Sequence, residues 1–144
     1  MGSMKNLVGL GVVVMVMTGT VVGALQDQLT EEEYGSTMSE VRLLVGDAEL
    51  HIDSFYWPEL GEDLDKMFPM FRQMEAFWAA RGNDDAVEQT QASLAALKEM
   101  GDAGVAMDRA QARAGLANLR STCGSCHTAH REETDDGYRI KPGS

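Results

Sequence analysis

Residues 108–130, DRAQARAGLANLRSTCGSCHTAH, combine a helix-forming pattern with both cysteines of the chain and two of its three histidines. Asp108 and Gln111, three residues later, form a capping-box pattern that is typical of a helix start. Apolar and small side chains then recur along one stripe: Ala112, Leu116, Leu119, Cys123, Cys126 and His130. The stretch therefore predicts a long last helix that carries the most distinctive side chains of the protein.

A first helix is predicted well upstream of this segment. Thr37 and Glu40 form another capping-box pattern, and the helix behind them should end at Tyr56 or Trp57, because Pro58 follows. Its apolar face has alternating spacings of three and four residues and comprises Met38, Val41, Val45, Ala48, Ile52 and Phe55.

Two more helices are predicted between these segments. The second should lie between Gly61 and Gly82, with Pro69 in its first turn, where proline is tolerated best. Asn83 can cap the third helix, whose end is ambiguous over residues 101–106. The buried face of the second helix is expected to hold Met67, Met70 or Phe71, Met74, and Phe77 or Trp78.

Four amphipathic helices with short connections, and no convincing strand pattern, predict an all-α antiparallel four-helix bundle. We expect one bundle domain over residues 37–131, after a flexible polar lead-in over residues 25–36. Residues 132–144 contain several turn-forming residues and are expected to form an irregular tail.

Residues 1–24 are typical of a secretory signal peptide. Lys5 precedes an apolar run that starts at Leu7, and the run ends in small residues that signal peptidase accepts at Ala24. Residues 1–3 look like a cloning scar. The alternative is an uncleaved membrane anchor, since the run has about 18 residues and could just span a bilayer. Its glycines and threonines favour cleavage.

The formal net charge is −11. An acidic surface argues against nucleic acid or an anionic membrane as partner, and it favours a partner protein with a basic docking surface.

Cys123, Cys126 and His127 form the C-x-x-C-H pattern of covalent haem attachment. Residues three apart on a helix share a face, so both thiols can reach the two vinyl groups at one porphyrin edge. His127 comes next and can turn its imidazole under the iron. The pattern therefore predicts one covalently bound haem c, close to the C-terminal helix of the bundle.

Other uses of these residues are less compatible with the sequence. A zinc site that also uses His130 would spread its ligands over about 10 Å of helix rise, whereas zinc–ligand bonds are roughly 2.0–2.3 Å long. A thioredoxin-like redox pair expects a βαβ context. A structural disulfide between Cys123 and Cys126 remains an alternative, because disulfides persist in exported proteins.

The chain resembles the class II c-type cytochromes, that is cytochrome c′ and its low-spin relatives. A C-x-x-C-H motif on a long last helix distinguishes that family from small globular c-type cytochromes, which carry theirs near the N-terminus. Family members often have an aromatic residue before the arginine of this region, where this chain has His130. The likeness is carried by residues 122–127 (TCGSCH), Arg131, Leu116, Leu119, residues 77–83 (FWAARGN) and residues 136–141 (DGYRIK).

The resemblance implies that Cys123 and Cys126 carry the thioether bonds and that His127 is the proximal iron ligand. In the low-spin relatives the distal ligand comes from the first helix, which selects Met38, the only methionine in that predicted helix. An antiparallel bundle brings the start of the first helix beside the end of the last, which permits this contact. The alternative is that Met38 only fills the apolar core.

The sequence also leads to predictions for three further polar residues. His51 is expected to be a surface histidine. His130 lies one turn after His127 and is expected to touch a haem propionate or solvent. Arg131 could pair with a propionate or a nearby carboxylate, or remain a solvated helix end.

These features predict an exported, periplasmic, mono-haem cytochrome that carries single electrons between redox partner proteins and is not an enzyme. A five-coordinate iron would instead give a cytochrome c′-like protein that binds nitric oxide or another small gas. A haemless helical module closed by one disulfide is the third hypothesis. The resembling family often forms dimers, and membrane contact is expected only if the signal segment stays uncleaved.

Overall fold

The computed structural model describes residues 29–144 and shows four α-helices followed by a short β-hairpin. The predicted signal peptide, the proposed scar and residues 25–28 of the predicted lead-in lie outside the described residues. Within residues 29–144, none of the helices has the length and apolar character needed to cross a bilayer. The elements are α1 (Glu31–Ser54), α2 (Trp57–Ala80), α3 (Asp84–Val105), α4 (Arg109–His130), β1 (Arg131–Thr134) and β2 (Gly137–Ile140).

Consecutive helices run antiparallel, and α4 returns to lie against α1. The Tyr34 ring, near the start of α1, stacks on the Phe77 ring near the end of α2, with centroids 4.5 Å apart. Asp53, near the end of α1, accepts hydrogen bonds from Arg113 near the start of α4. The predicted all-α antiparallel four-helix bundle is therefore confirmed.

The core lies along the bundle axis, where a few large side chains are fully buried. Burial of such a side chain contributes about 1.5–3 kcal/mol each. Helices α3 and α4 approach closely at Gly115, where an added Cβ would lie 2.8 Å from Met100 Cγ and 3.1 Å from Met100 N. The largest fully buried residues are Trp78, Phe77, Ile52, Leu60, Met67, Met74, Leu97, Met100 and Leu119.

Helix α1 begins earlier than predicted, so the assignment of residues 31–36 to a flexible lead-in is wrong. Thr30 is the N-cap, and it forms a capping box with Glu33. Tyr34 in the first turn is buried. Because the helix gains both a cap and a buried aromatic anchor, it continues through Thr37 rather than starting there.

The start predicted for α2 is also wrong. Helix α1 stops at Ser54, since Phe55 adopts a left-handed conformation with φ 59°. Pro58 then takes the first-turn position of α2, and Pro69 lies inside the helix. An interior proline costs about 3 kcal/mol. The burial of neighbouring core side chains on both sides of Pro69 offsets that cost.

The caps predicted for the last two helices are confirmed. The Asn83 side chain accepts a hydrogen bond from Ala86 N at 3.0 Å, and the Asp108 side chain accepts one from Gln111 N at 3.0 Å. Helix α3 runs on to Val105, which resolves its ambiguous end.

A short β-hairpin follows α4, so the prediction of an irregular tail is wrong for residues 132–140. Strands β1 and β2 pair antiparallel, with Arg131 opposite Ile140 and Thr134 opposite Gly137. Gly137 has φ 126°, which only glycine adopts readily. Each strand has four residues, the lower limit at which alternation can be recognised in a sequence.

Candidate functional site

A cavity of about 590 Å³ opens at the end of the bundle where α1 begins and α4 ends. The end of α2 and the hairpin complete its walls. Pockets for cofactors and small ligands have volumes of roughly 300–1,000 Å³, so this space is large enough for one. The lining residues used below are Tyr34, Met38, Arg42, Trp78, Cys126, His127, His130, Arg131, Tyr138 and Arg139.

Three of the four predicted site residues face this cavity: Met38, Cys126 and His127. Met38 comes from the second turn of α1, and the other two come from the last turns of α4. Cys123 lies one turn before Cys126, half-buried against the core. The antiparallel arrangement therefore brings together residues that are far apart in the sequence.

Both cysteines are free thiols in a partly buried environment. Burial raises the pKa of Cys126 to about 11, with smaller contributions from Cys123 and Asp85. Burial also raises the pKa of the Cys123 thiol. Since the thiolate is the reactive form, both side chains are weak nucleophiles at neutral pH. This environment does not favour thioredoxin-like redox chemistry.

His127 is half-buried at the cavity wall. Burial lowers the pKa of its imidazole, and the positive charge of Arg131 lowers it further. The ring is therefore neutral at neutral pH, which leaves a nitrogen lone pair available to a metal.

The cavity mouth carries several cationic side chains. Arg139 Nε donates to Glu132 Oε1 at 2.6 Å, so part of its charge is neutralised. The Arg131 guanidinium lies 4.1 Å from the centroid of the Tyr138 ring. Arg131 on β1 is thus placed by a cation–π contact with Tyr138 on β2, which the sequence did not predict. The charged lining residues are Arg42, Arg131, Arg139, Glu31 and Glu32.

Tyr34 and Trp78 form an aromatic wall that the sequence analysis missed. Trp78 Nε1 donates a hydrogen bond to Tyr34 Oη at 3.0 Å. Burial raises the pKa of the Tyr34 hydroxyl well above its usual range. The capping box of Thr30 and Glu33 is the signal that could have placed Tyr34 on a helix rather than in the lead-in.

Of the two contacts expected for His130, the one with solvent is wrong, because the residue is only 9% exposed, whereas the one with a haem propionate stays a prediction. It borders the cavity, yet its Nε2 lies 2.8 Å from Asp85 Oδ2 and its ring packs 5.3 Å from the Trp78 ring. His130 therefore occupies a packing position between helices.

His51 is not a simple surface histidine either. Its Nδ1 lies 2.7 Å from Oδ2 of Asp63, a buried carboxylate near the start of α2. A buried carboxylate needs a partner, and this requirement draws the imidazole inward. The pair lies at the opposite end of the bundle from the cavity, so it does not belong to the site.

The ligand geometry bears on which metal centre the residues could form. Within the described residues, no three His, Cys, Asp or Glu side chains converge as a ligand set for a bare metal ion. Helix α4 is continuous from Arg109 to His130. The two cysteines and two histidines are therefore spread along one helix, which is too far apart for a shared zinc ion. A haem brings its own four equatorial nitrogens, so the protein has to supply only thiols and axial ligands. The cavity residues fit that requirement.

Fold and site together define an all-α four-helix bundle with a cofactor-sized cavity between α1 and α4. No family model, curated protein or solved structure compared with the chain matches it.

Proposed function

We propose that the protein is an exported, mono-haem class II c-type cytochrome that carries single electrons between periplasmic redox partners. The observation that supports this proposal most directly is the cavity that Met38, Cys126 and His127 line together. The C-x-x-C-H motif lies at the edge of that cavity, on the last turns of α4.

The residues present fit a covalently bound haem. Cys123 and Cys126 would hold it through thioether bonds, His127 would be the proximal ligand and Met38 the distal ligand. When bound, haem supplies a reversible one-electron couple at its iron.

The surrounding side chains contribute to that function in three ways. His127 is kept neutral, so it can coordinate without losing a proton. The buried side chains of Tyr34 and Trp78 would give a bound haem an apolar surrounding with a low local dielectric, which tunes the potential of an iron centre. Arg42 and Arg131 line the cavity and would offer positive charge to the carboxylates of a bound haem.

The redox partner is expected to present a basic docking surface. The net charge of −11 steers oppositely charged proteins toward this chain. Salt screens such steering over about 10 Å at 0.1 M, so the association rate should fall as ionic strength rises. We include periplasmic export in the proposal because residues 1–24 have the pattern of a signal peptide.

The axial ligand is tested by replacing Met38 with alanine in protein from a host that attaches c-type haem. We expect the wild type to have a low-spin optical spectrum with the weak methionine-to-iron band, and Met38→Ala to become high-spin. Met70→Ala is the matched control, because Met70 is also half-buried against the core but does not line the cavity. It should leave the spectrum unchanged.

Two other outcomes would replace the proposal. Broad high-spin bands in the wild type that change on addition of nitric oxide would favour the gas-binding hypothesis. A colourless protein without covalent haem, whose fold does not depend on the attachment machinery, would favour the haemless disulfide module.

A further inference from the structure

We propose that His130 is a positioning residue, which holds the last turn of α4, and therefore His127, in place at the cavity. This inference rests on the proposed function in so far as it treats His127 as an iron ligand. His130 is the last residue of α4, three positions after His127. Arg131 behind it is extended, with φ −115° and ψ 138°. His130 thus lies in the terminal turn of the helix.

His130 touches three separate parts of the molecule. Its Nε2 lies 2.8 Å from Asp85 Oδ2 on α3, and its ring centroid is 5.3 Å from that of Trp78 on α2. Its Nδ1 has longer contacts of 3.4 Å to Asn83 Nδ2 and to Ser144 Oγ near the end of the chain. One side chain therefore connects α4 to α2, to α3 and to the C-terminal segment.

The connection extends to α1 and to the hairpin. Trp78 Nε1 donates to Tyr34 Oη, and the Tyr34 ring stacks on Phe77. The backbone carbonyl of His130 accepts a hydrogen bond at 2.9 Å from the N–H of Lys141, the residue directly after β2 of the hairpin. All four helices and the hairpin are thus linked at this end of the bundle.

The orientation of the His127 ring depends on the contacts that His130 makes. Within residues 29–144, no side-chain hydrogen bond to the His127 ring is present. Histidines that bind metals usually donate their second N–H to a neighbouring group, which fixes the ring direction. Here the direction of the ring follows from the backbone of the last turn, and terminal turns fray unless other contacts hold them. His130 supplies those contacts.

The packing of the His130 ring against Trp78 should do more to hold the last turn of α4 than the contact with the Asp85 carboxylate. Asp85 is 63% exposed, so water screens its interaction with the imidazole. The ring against Trp78 is buried, and an aromatic pair contributes beyond its buried area. A phenylalanine at position 130 would keep the packing and lose the contact with Asp85, whereas an alanine would lose both.

The test uses His130→Ala, His130→Phe and Asp85→Asn. Asp84→Asn is the matched control, because Asp84 is the exposed neighbour of Asp85 in the first turn of α3 and, within residues 29–144, forms no hydrogen bond or ion pair with His130. In the haem-free chain, we expect His130→Ala to speed hydrogen exchange of the last-turn amides of α4 by about tenfold, the equivalent of one good aromatic pair. Exchange in His130→Phe should stay close to wild type, with a small increase in Asp85→Asn and none in Asp84→Asn.

The second measurement reports on His127 itself. In the reduced haem protein with Met38→Ala, resonance Raman spectroscopy measures the iron–histidine stretching band. We expect His130→Ala to broaden and shift this band, and His130→Phe to restore it. Gly115→Ala serves as a stability control, since it strains the α3–α4 contact without touching the cavity. It should lower the melting temperature and leave the band unchanged.

An iron–histidine band in His130→Ala identical to the parent would overturn the positioning role, even if that variant melts earlier. Unchanged exchange of the last-turn amides in the haem-free chain would overturn it as well. Absence of haem in the wild type would instead contradict the proposed function, and the exchange experiment would still decide whether His130 holds the helix end.

Discussion

At the scale of single residues, burial keeps the two motif side chains next to the cavity uncharged at neutral pH. It raises the pKa of Cys126 and lowers the pKa of His127. Burial has opposite effects on the two pKa values because the charged form is an anion in one case and a cation in the other. A neutral thiol and a neutral imidazole suit covalent attachment and iron ligation better than disulfide exchange.

The thiol environment predicts slow reaction with thiol-specific reagents. With a pKa of about 11, Cys126 in the folded haem-free chain should react at pH 8 roughly 200-fold more slowly than in the unfolded chain, where the pKa is near 8.5. The rate should rise about tenfold per pH unit until the pH approaches the pKa. Stopped-flow labelling of a Cys123→Ser variant, with and without denaturant, measures this difference.

Equal labelling rates in the folded and unfolded chain would contradict the burial of this thiol. The same result would reopen the redox-active interpretation of the cysteine pair.

At the scale of secondary-structure elements, the close contact between α3 and α4 contributes to the stability of the bundle. An added Cβ at Gly115 would meet the Met100 backbone as well as its side chain, so a rotamer change alone cannot relieve the clash. The nearby Ala96 and Ala112 are also buried. Small residues therefore allow this close approach.

Gly115→Ala should destabilise the haem-free chain by about 1–3 kcal/mol, because overpacking strain exceeds the gain in helix propensity. Gly124→Ala is the control in the same helix, since a Cβ there would meet nothing within 4 Å. That variant should be neutral or more stable by up to about 1 kcal/mol. Urea unfolding followed by circular dichroism measures both changes, and equal stabilities for the two variants would contradict the close helix contact.

At the scale of the whole molecule, ion pairs join the second half of α1 to α4, away from the cavity end of the bundle. Asp53 accepts hydrogen bonds from Arg109 and Arg113, and Glu49 pairs with Arg120. These hydrogen bonds hold the pKa values of both carboxyl groups below their usual range. Their stabilising effect is therefore fully present above a pH of about 4, the unfolded value, and it is lost as the pH falls through the lower folded-state values.

Asp53→Asn should lower the melting temperature at pH 7 and make it depend less on pH between about 5 and 2. Asp47→Asn is the control, because Asp47 is an exposed acid on the same helix that forms no ion pair in the described part of the chain. Thermal melts across this pH range compare the variants. Parallel pH profiles for wild type and Asp53→Asn would contradict a stabilising role for the pair.

Local signals in the sequence determined the helices, two of their caps and the location of the C-x-x-C-H motif. Caps such as Asn83 and Asp108 act on amides three residues away, and apolar spacing repeats every three or four residues, so both can be recognised without knowing the fold. The same signals misplaced the start of α1, because the sequence contains two capping boxes and only the burial of Tyr34 selects the first. They also missed the hairpin, since strands of four residues carry too little pattern.

Tertiary structure alone decided which residues share the cavity. Met38 and His127 lie at opposite ends of the described chain, and only the return of α4 beside α1 brings them to one space. The burial of His130 against Trp78 likewise depends on three helices meeting at one point. Helix propensity and capping act between residues that are close in the sequence. Burial of a side chain depends on the surface that packs against it, and that surface exists only once the bundle has formed.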